Sequence, residues 1–388
     1  MDPAPTEQAE PGFPAESTRT APGEHDLAAV RARCTRFLNG HGNPTPHDTL
    51  AELAAAAPAD LPADRYGSGA VLEELESEVA TLLGLPAAVF MPSGTMAQQI
   101  ALRIWADRAG RRTVAFHPLC HLELHEDKGY SLLHGLHGRL VGDPEELITL
   151  EQLQAVHEPL AALLLELPQR SIGGRLPGWA DLTAQTAWAR EAGVALHLDG
   201  ARLWECAPYY SRSYAEIAGL FDTVYVSFYK GLGGIAGCCL AGPADVIAEA
   251  RVWQRRHGGS LFHLYPYALA ARAGLHQRLG RMGEYYEKAL EIASALRDHP
   301  CLEVVPDPPQ VPMMHLRLQT TAAALRTAAL QLAEETGIWT FAESRPTDSP
   351  SWRTVELTVG DATMDFSGAE VRELFDRLLP AASNGRRR

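Results

Sequence analysis

The feature that most restricts the fold is a pair of apolar segments that each run into a charged side chain. One is Val194-Ala-Leu-His-Leu-Asp199, continuing Gly-Ala-Arg202; the other is Val224-Tyr-Val-Ser-Phe228, which delivers Lys230 into the glycine-rich turn Gly231-Leu-Gly-Gly234. Apolar runs of this length that close on small-residue turns read as buried strands. The strand pattern at 161–166, the loop 167–177 and the helical pattern at 181–193 precede the first of them. Strand, loop, helix and strand again imply a parallel sheet with crossovers, whose functional side chains gather at the carboxyl ends of the strands. Asp199 and Lys230 both fall at such ends. A carboxylate there is costly without a cationic partner. A lysine there suits Schiff-base chemistry, because burial favours the deprotonated amine that acts as nucleophile. Read alone, Lys230 is also compatible with a surface lysine that follows a strand.

Upstream, residues 87–102 read as a short apolar strand, a turn and the start of a helix. Ser93, Gly94 and Thr95 stand where the first free N–H groups of that helix point outward, an arrangement suited to a phosphate. The same triplet is also an ordinary N-cap. Residues 117–126 begin a helix in this reading, with His117, His121 and His125 four residues apart. Three readings of them stay open: a metal site completed by Glu123 or Glu126, although the H-E-x-x-H order is absent; a solvated polar face; or one histidine packing on a cofactor ring.

A chain of 388 residues with 46% hydrophobic content has enough apolar material for roughly two domains. The expected division is a disordered tail over 1–25, a large domain over 26–265, a smaller C-terminal α/β domain over 266–381 and a disordered tail over 382–388. A formal charge of −14 argues against a nucleic-acid footprint, with no basic face implied apart from the short tail Arg386-Arg387-Arg388. Six scattered cysteines without C-x-x-C spacing fit reduced, cytoplasmic thiols. The N-terminus lacks an export signal, and no run of about eighteen apolar residues is present to span a membrane.

A phosphate cradle, a carboxylate for a ring nitrogen and a lysine for an aldehyde are the attachments that pyridoxal phosphate requires. At this point the chain resembles the low-specificity L-threonine aldolases, among the beta-eliminating lyases of the aspartate-aminotransferase fold. The resemblance rests on Tyr66-Gly67, Leu72-Glu-Glu-Leu-Glu76, Met91-Pro-Ser-Gly-Thr95, His121 with Glu126 and Gly129, His197-Leu-Asp-Gly-Ala-Arg202 and Lys230-Gly-Leu-Gly233, over about 39–259. It implies an α/β fold, with a mostly parallel central sheet flanked by helices and a smaller α/β domain. It also implies a homodimer or homotetramer with sites at the subunit interface and a small-molecule amino acid as substrate.

By the same resemblance, Lys230 holds the cofactor aldehyde, Asp199 pairs with the pyridinium, Ser93, Gly94 and Thr95 hold the phosphate, and His121 stacks on the ring. Arg202 lies near the cofactor and the substrate carboxylate, with Arg353 as a second arginine and Tyr66 as a further substrate contact. Arg255 reaches the phosphate of a neighbouring subunit. Two segments depart from the family pattern. Asn39-Gly-His-Gly42 replaces a serine-aspartate-threonine segment, and Glu166-Leu-Pro-Gln-Arg-Ser171 replaces a glutamate-asparagine-threonine-histidine loop, which brings Gln169 or Arg170 toward the substrate. The expected reaction is cleavage of the Cα–Cβ bond of a β-hydroxy-α-amino acid, with His121 as base and His125 as a second candidate. Also open are β-elimination, glycine transfer to an aldehyde, a metal-dependent hydrolase on His117, His121 and His125, and a binding scaffold without catalysis.

Overall fold

Runs of buried apolar residues dictate the centre of the molecule, whose computed structural model describes residues 24–341 and 343–379. Seven strands share one sheet: β1 (Ala87–Met91), β2 (Thr113–Phe116), β3 (His137–Leu140), β4 (Ala162–Glu166), β5 (Ala195–Gly200), β6 (Thr223–Ser227) and β7 (Cys238–Gly242). Their spatial order is β1-β7-β6-β5-β4-β2-β3. The run from β3 to β6 is parallel, whereas β7 pairs antiparallel with both β6 and β1. Parallel strands are covered on both faces, which is why β4 and β5 are apolar nearly end to end. The sequence expectation lacks β3 and β7. β3 is an exposed edge strand, His137-Gly-Arg-Leu140, with no apolar alternation to mark it.

A second sheet is antiparallel and pairs Arg345–Pro346, Trp352–Thr358, Met313–Gln319 and Leu302–Val305 in that order. Leu316, Leu318, Val355 and Leu357 form its buried apolar face, while His315 and Glu356 stand opposite one another on the other face. The N-terminal stretch, expected with the large domain, joins this second unit instead. Arg36–Phe37 pairs with Ile338–Trp339, and the Asn39 side chain accepts from the Thr358 N–H and donates to the Glu356 carbonyl. Asn39 thereby acts as a short strand edge. The tails expected over 1–25 and 382–388 lie outside the described residues, apart from the first residues of the helix Glu24–Arg33.

The helix Gly94–Ala109 leaves β1 and packs across β6 and β7. Its first residue has no room for a side chain, since a Cβ on Gly94 would lie 2.1 Å from the Tyr225 hydroxyl of β6. Gly94→Ala should therefore push the helix start off the sheet, at a cost of about 1–3 kcal/mol in stability. Gly283→Ala meets open space at the start of another helix and should be neutral or stabilising by up to about 1 kcal/mol. Thermal or urea unfolding of the two variants checks the contrast.

Candidate active site

Because β4, β5 and β6 run parallel in adjacent register, their carboxyl ends bring Glu166, Asp199 and the Ser227–Lys230 turn to one edge. Asp199 is 1% exposed. Its Oδ2 accepts from Gln98 Nε2 at 2.8 Å and its Oδ1 from the Ala201 N–H at 3.1 Å. Among the described residues no cationic nitrogen lies within 4.0 Å of that carboxylate. The sequence contains three lysines: Lys128 pairs with Glu123 at 3.1 Å and Lys288 with Glu291 at 2.6 Å, but Lys230 has no carboxylate partner within 4.0 Å among the described residues. Burial draws the Lys230 ammonium below the usual lysine value, with Asp199 opposing and Arg202 adding to the effect. Burial, together with the Asp199 charge, pushes the Glu166 carboxyl up to about 7.

The helix Gly94–Ala109 serves the site three times. Its N-terminus has Ser93 in extended backbone with no side-chain cap, so the first N–H groups remain free to bind an anion. One turn in, Gln98 holds Asp199. Next to it, Gln99 donates to Glu126 Oε2 at 3.1 Å, and Glu126 Oε1 lies 3.0 Å from His121 Nδ1. The carboxylate can only accept there, so Nδ1 carries a proton, and in the neutral tautomer this selects, Nε2 is the acceptor. Sequence reasoning missed Gln98 and Gln99. In the sequence two adjacent amides read as solvated helix surface, and only their burial, at 1% and 3% exposure, marks them.

Several expected residues fall elsewhere. Only His121–Leu124 is helical, so His117, His121 and His125 do not share a helix face. His117 is buried and donates from Nε2 to the carbonyls of Asp143 and Glu146, at 3.1 and 2.8 Å, while its Nδ1 accepts from the Leu119 N–H. That removes the metal-dependent alternative, and among the described residues no group of three potential ligands is suited to a metal ion. Gln169 is 3% exposed, with its amide donating to the Leu119 carbonyl and to Glu166 Oε2, both at 3.2 Å. Its amide nitrogen is thus spent on the loop and on Glu166. Arg353 lies on the apolar face of its strand, in register with Leu318, and bonds to Ser344. Strand alternation thus turns it to the face opposite Glu356. Tyr66 is 61% exposed and packs edge-on against Phe262, and Arg255 is exposed on the last turn of the helix Ala244–Arg256. No hydrogen bond or ion pair joins either side chain to Lys230, Asp199 or His121.

The guanidinium that the motif does place here is Arg202, whose two terminal nitrogens bond to Glu205 and Glu356, each at 3.2 Å. Arg170 and Arg345 meet the same Glu356 carboxylate, at 2.9 and 3.0 Å. Burial would raise the Glu356 carboxyl, but His315, Arg202 and Arg170 outweigh it and hold it well below the usual range. A second network fixes the turn after Lys230. His41 Nε2 donates to the Gly231 carbonyl at 2.9 Å and Arg278 donates to the Leu232 carbonyl at 2.9 Å, while Asp361 bonds to Arg278, Arg281 and Tyr285. The Asp361 N–H in turn donates to His41 Nδ1 at 3.2 Å.

An unpaired amine, a buried carboxylate without a cation and an uncapped helix start together fit an aldehyde-bearing pyridine phosphate. Comparisons with known proteins agree with that geometry. The family model for beta-eliminating lyases matches residues 44–319. A low specificity L-threonine aldolase of Escherichia coli is 28% identical over 259 residues, which cover 65% of this chain and 76% of the relative. Low-specificity L-threonine aldolase 1 of Arabidopsis thaliana is 28% identical over 261 residues, 65% of this chain and 72% of that protein. A crystal structure of a candidate L-allo-threonine aldolase from Listeria monocytogenes superposes with a TM-score of 0.86 at 42% identity, covering 92% of this chain and 98% of the other. With the fold, the site geometry and the sequence match in accord, the chain belongs to the beta-eliminating lyase family.

Proposed function

We propose that this protein cleaves the Cα–Cβ bond of a β-hydroxy-α-amino acid, giving glycine and an aldehyde, with pyridoxal phosphate as cofactor. The observation that carries the reading is the juxtaposition of an unpaired Lys230 with a buried Asp199 that has amide donors but no cation. Lys230 would hold the aldehyde carbon, Asp199 the ring nitrogen, and Ser93, Gly94 and Thr95 the phosphate. When bound, the cofactor supplies an electron sink for the pair released as a bond at Cα breaks. Asp199, fixed by Gln98, keeps a proton on the ring nitrogen and so maintains that sink. His121 would take the β-hydroxyl proton on Nε2, with Glu126 stabilising the imidazolium that results. The same histidine then stands ready to return a proton.

The single chain leaves Arg255 and Tyr66 exposed. We assign both to a neighbouring subunit's site in a homodimer or homotetramer. The cysteines are free, which supports a reducing, cytoplasmic location, and no described helix is long and apolar enough to cross a membrane.

Purified protein should show a band at about 410–430 nm that is lost in Lys230→Ala, and it should convert a β-hydroxy amino acid to glycine and an aldehyde. Appearance of a 2-oxo acid and ammonia instead contradicts Cα–Cβ cleavage. Asp199→Asn should lower kcat by a factor on the order of 10²–10³, because it weakens the charge that holds the sink. His121→Asn should retain the band and lower kcat by on the order of 10²–10⁴. Full activity in His121→Asn assigns the proton transfer to another group.

A further inference from the structure

With Arg353 turned to the opposite face of its strand, three other guanidinium groups are brought together, those of Arg170, Arg202 and Arg345. All converge on the carboxylate of Glu356, whose side chain is 16% exposed. Arg202 has its two terminal nitrogens on Glu205 and Glu356, and its Nε is buried without an acceptor. Arg170 and Arg345 differ. Arg170 reaches Glu356 Oε2 through Nε and Arg345 through one terminal nitrogen, and neither guanidinium makes another hydrogen bond or ion pair among the described residues. Arg170 and Arg345 thus share a single carboxylate, and their remaining N–H donors have no protein acceptor among the described residues. A partly enclosed excess of planar donors is a site for an incoming carboxylate.

Two observations put these donors at the reacting end of the site. The charges of Arg170, Arg345 and Lys230 all act on His125, whose imidazole is held below its ordinary value first by burial, then by His121 and by these three groups. His121 and His125 have ring centroids 5.1 Å apart. Arg345 also lines a cleft of about 530 Å³ with His315, Arg317 and Trp352, and its side chain is 46% exposed, so the head has room to move.

We propose that Arg170 and Arg345, drawn together by Glu356, bind the carboxylate of the amino acid substrate, and that Glu356 competes with that carboxylate for their donors and so sets the affinity. The proposal rests on the amino-acid reading given above. It takes over, with residues from the altered 166–171 loop and from the second sheet, the contact that Arg353 is not placed to make.

Glycine, the expected product with one carboxylate, is a direct probe. Titration calorimetry on the cofactor-loaded wild type, Arg170→Met, Arg345→Met and Glu356→Gln should show about tenfold weaker glycine binding in each arginine variant. Glu356→Gln keeps the shape and loses the charge, and it should bind glycine about threefold more tightly. The KM for a β-hydroxy amino acid should move with these constants while kcat changes less. Arg345 is half exposed and its variant is expected to fold, so glycine binding within twofold of wild type in Arg345→Met overturns the proposal on its own. Weaker binding in Glu356→Gln overturns the competing role. Wild type that holds its cofactor yet binds no glycine contradicts the amino-acid reading as well, whereas glycine binding that ignores the arginines contradicts only this subsite.

Discussion

The structure is built around one carboxylate kept almost wholly out of water without a counter-charge. Asp199 ends a buried strand, accepts one amide and one backbone N–H, and meets no cation among the described residues. Desolvating an ion costs several kcal/mol unless another charge compensates it. Under the proposed function, a ligand's protonated ring nitrogen completes the pair. The rest of the site follows from that requirement. One helix supplies Gln98 to aim the carboxylate, leaves its N-terminus open for an anion and, through Gln99 and Glu126, fixes the tautomer of His121.

The lysine is held with similar care. The two residues after it offer their carbonyls to His41 and Arg278, and both of those side chains are tied to residue 361 of the second unit. The turn that presents Lys230 is therefore clamped by the N-terminal connector, the helix Tyr265–Arg278 and the segment Asp361–Asp365 together. Changes in how the second unit sits against the sheet have a direct route to the amine. His41, from the segment 39–42, thus has a structural use in this chain.

The parallel sheet, Asp199, Lys230 and the Ser93–Thr95 turn were legible in the sequence because each lies where an apolar run stops, and such boundaries survive without tertiary information. Residues set by three-dimensional neighbours were not. Gln98 and Gln99 look like helix surface until the helix is known to be buried. The histidines at 117, 121 and 125 suggested a helix face, but the helix there is a single turn that starts at His121. Arg353 was placed by motif position, whereas strand parity, shared with Val355 and Leu357, assigns it to the apolar face. The cluster on Glu356 draws arginines from positions 170, 202 and 345, a convergence that only the fold reveals.

The central claim is that the single unpaired lysine carries the cofactor. Borohydride reduction of the purified protein, followed by peptide mass spectrometry, tests it most directly. A phosphopyridoxyl adduct confined to the peptide containing Lys230 is the predicted result. An adduct on Lys128 or Lys288 in its place, or none on a protein shown to hold pyridoxal phosphate, contradicts the account.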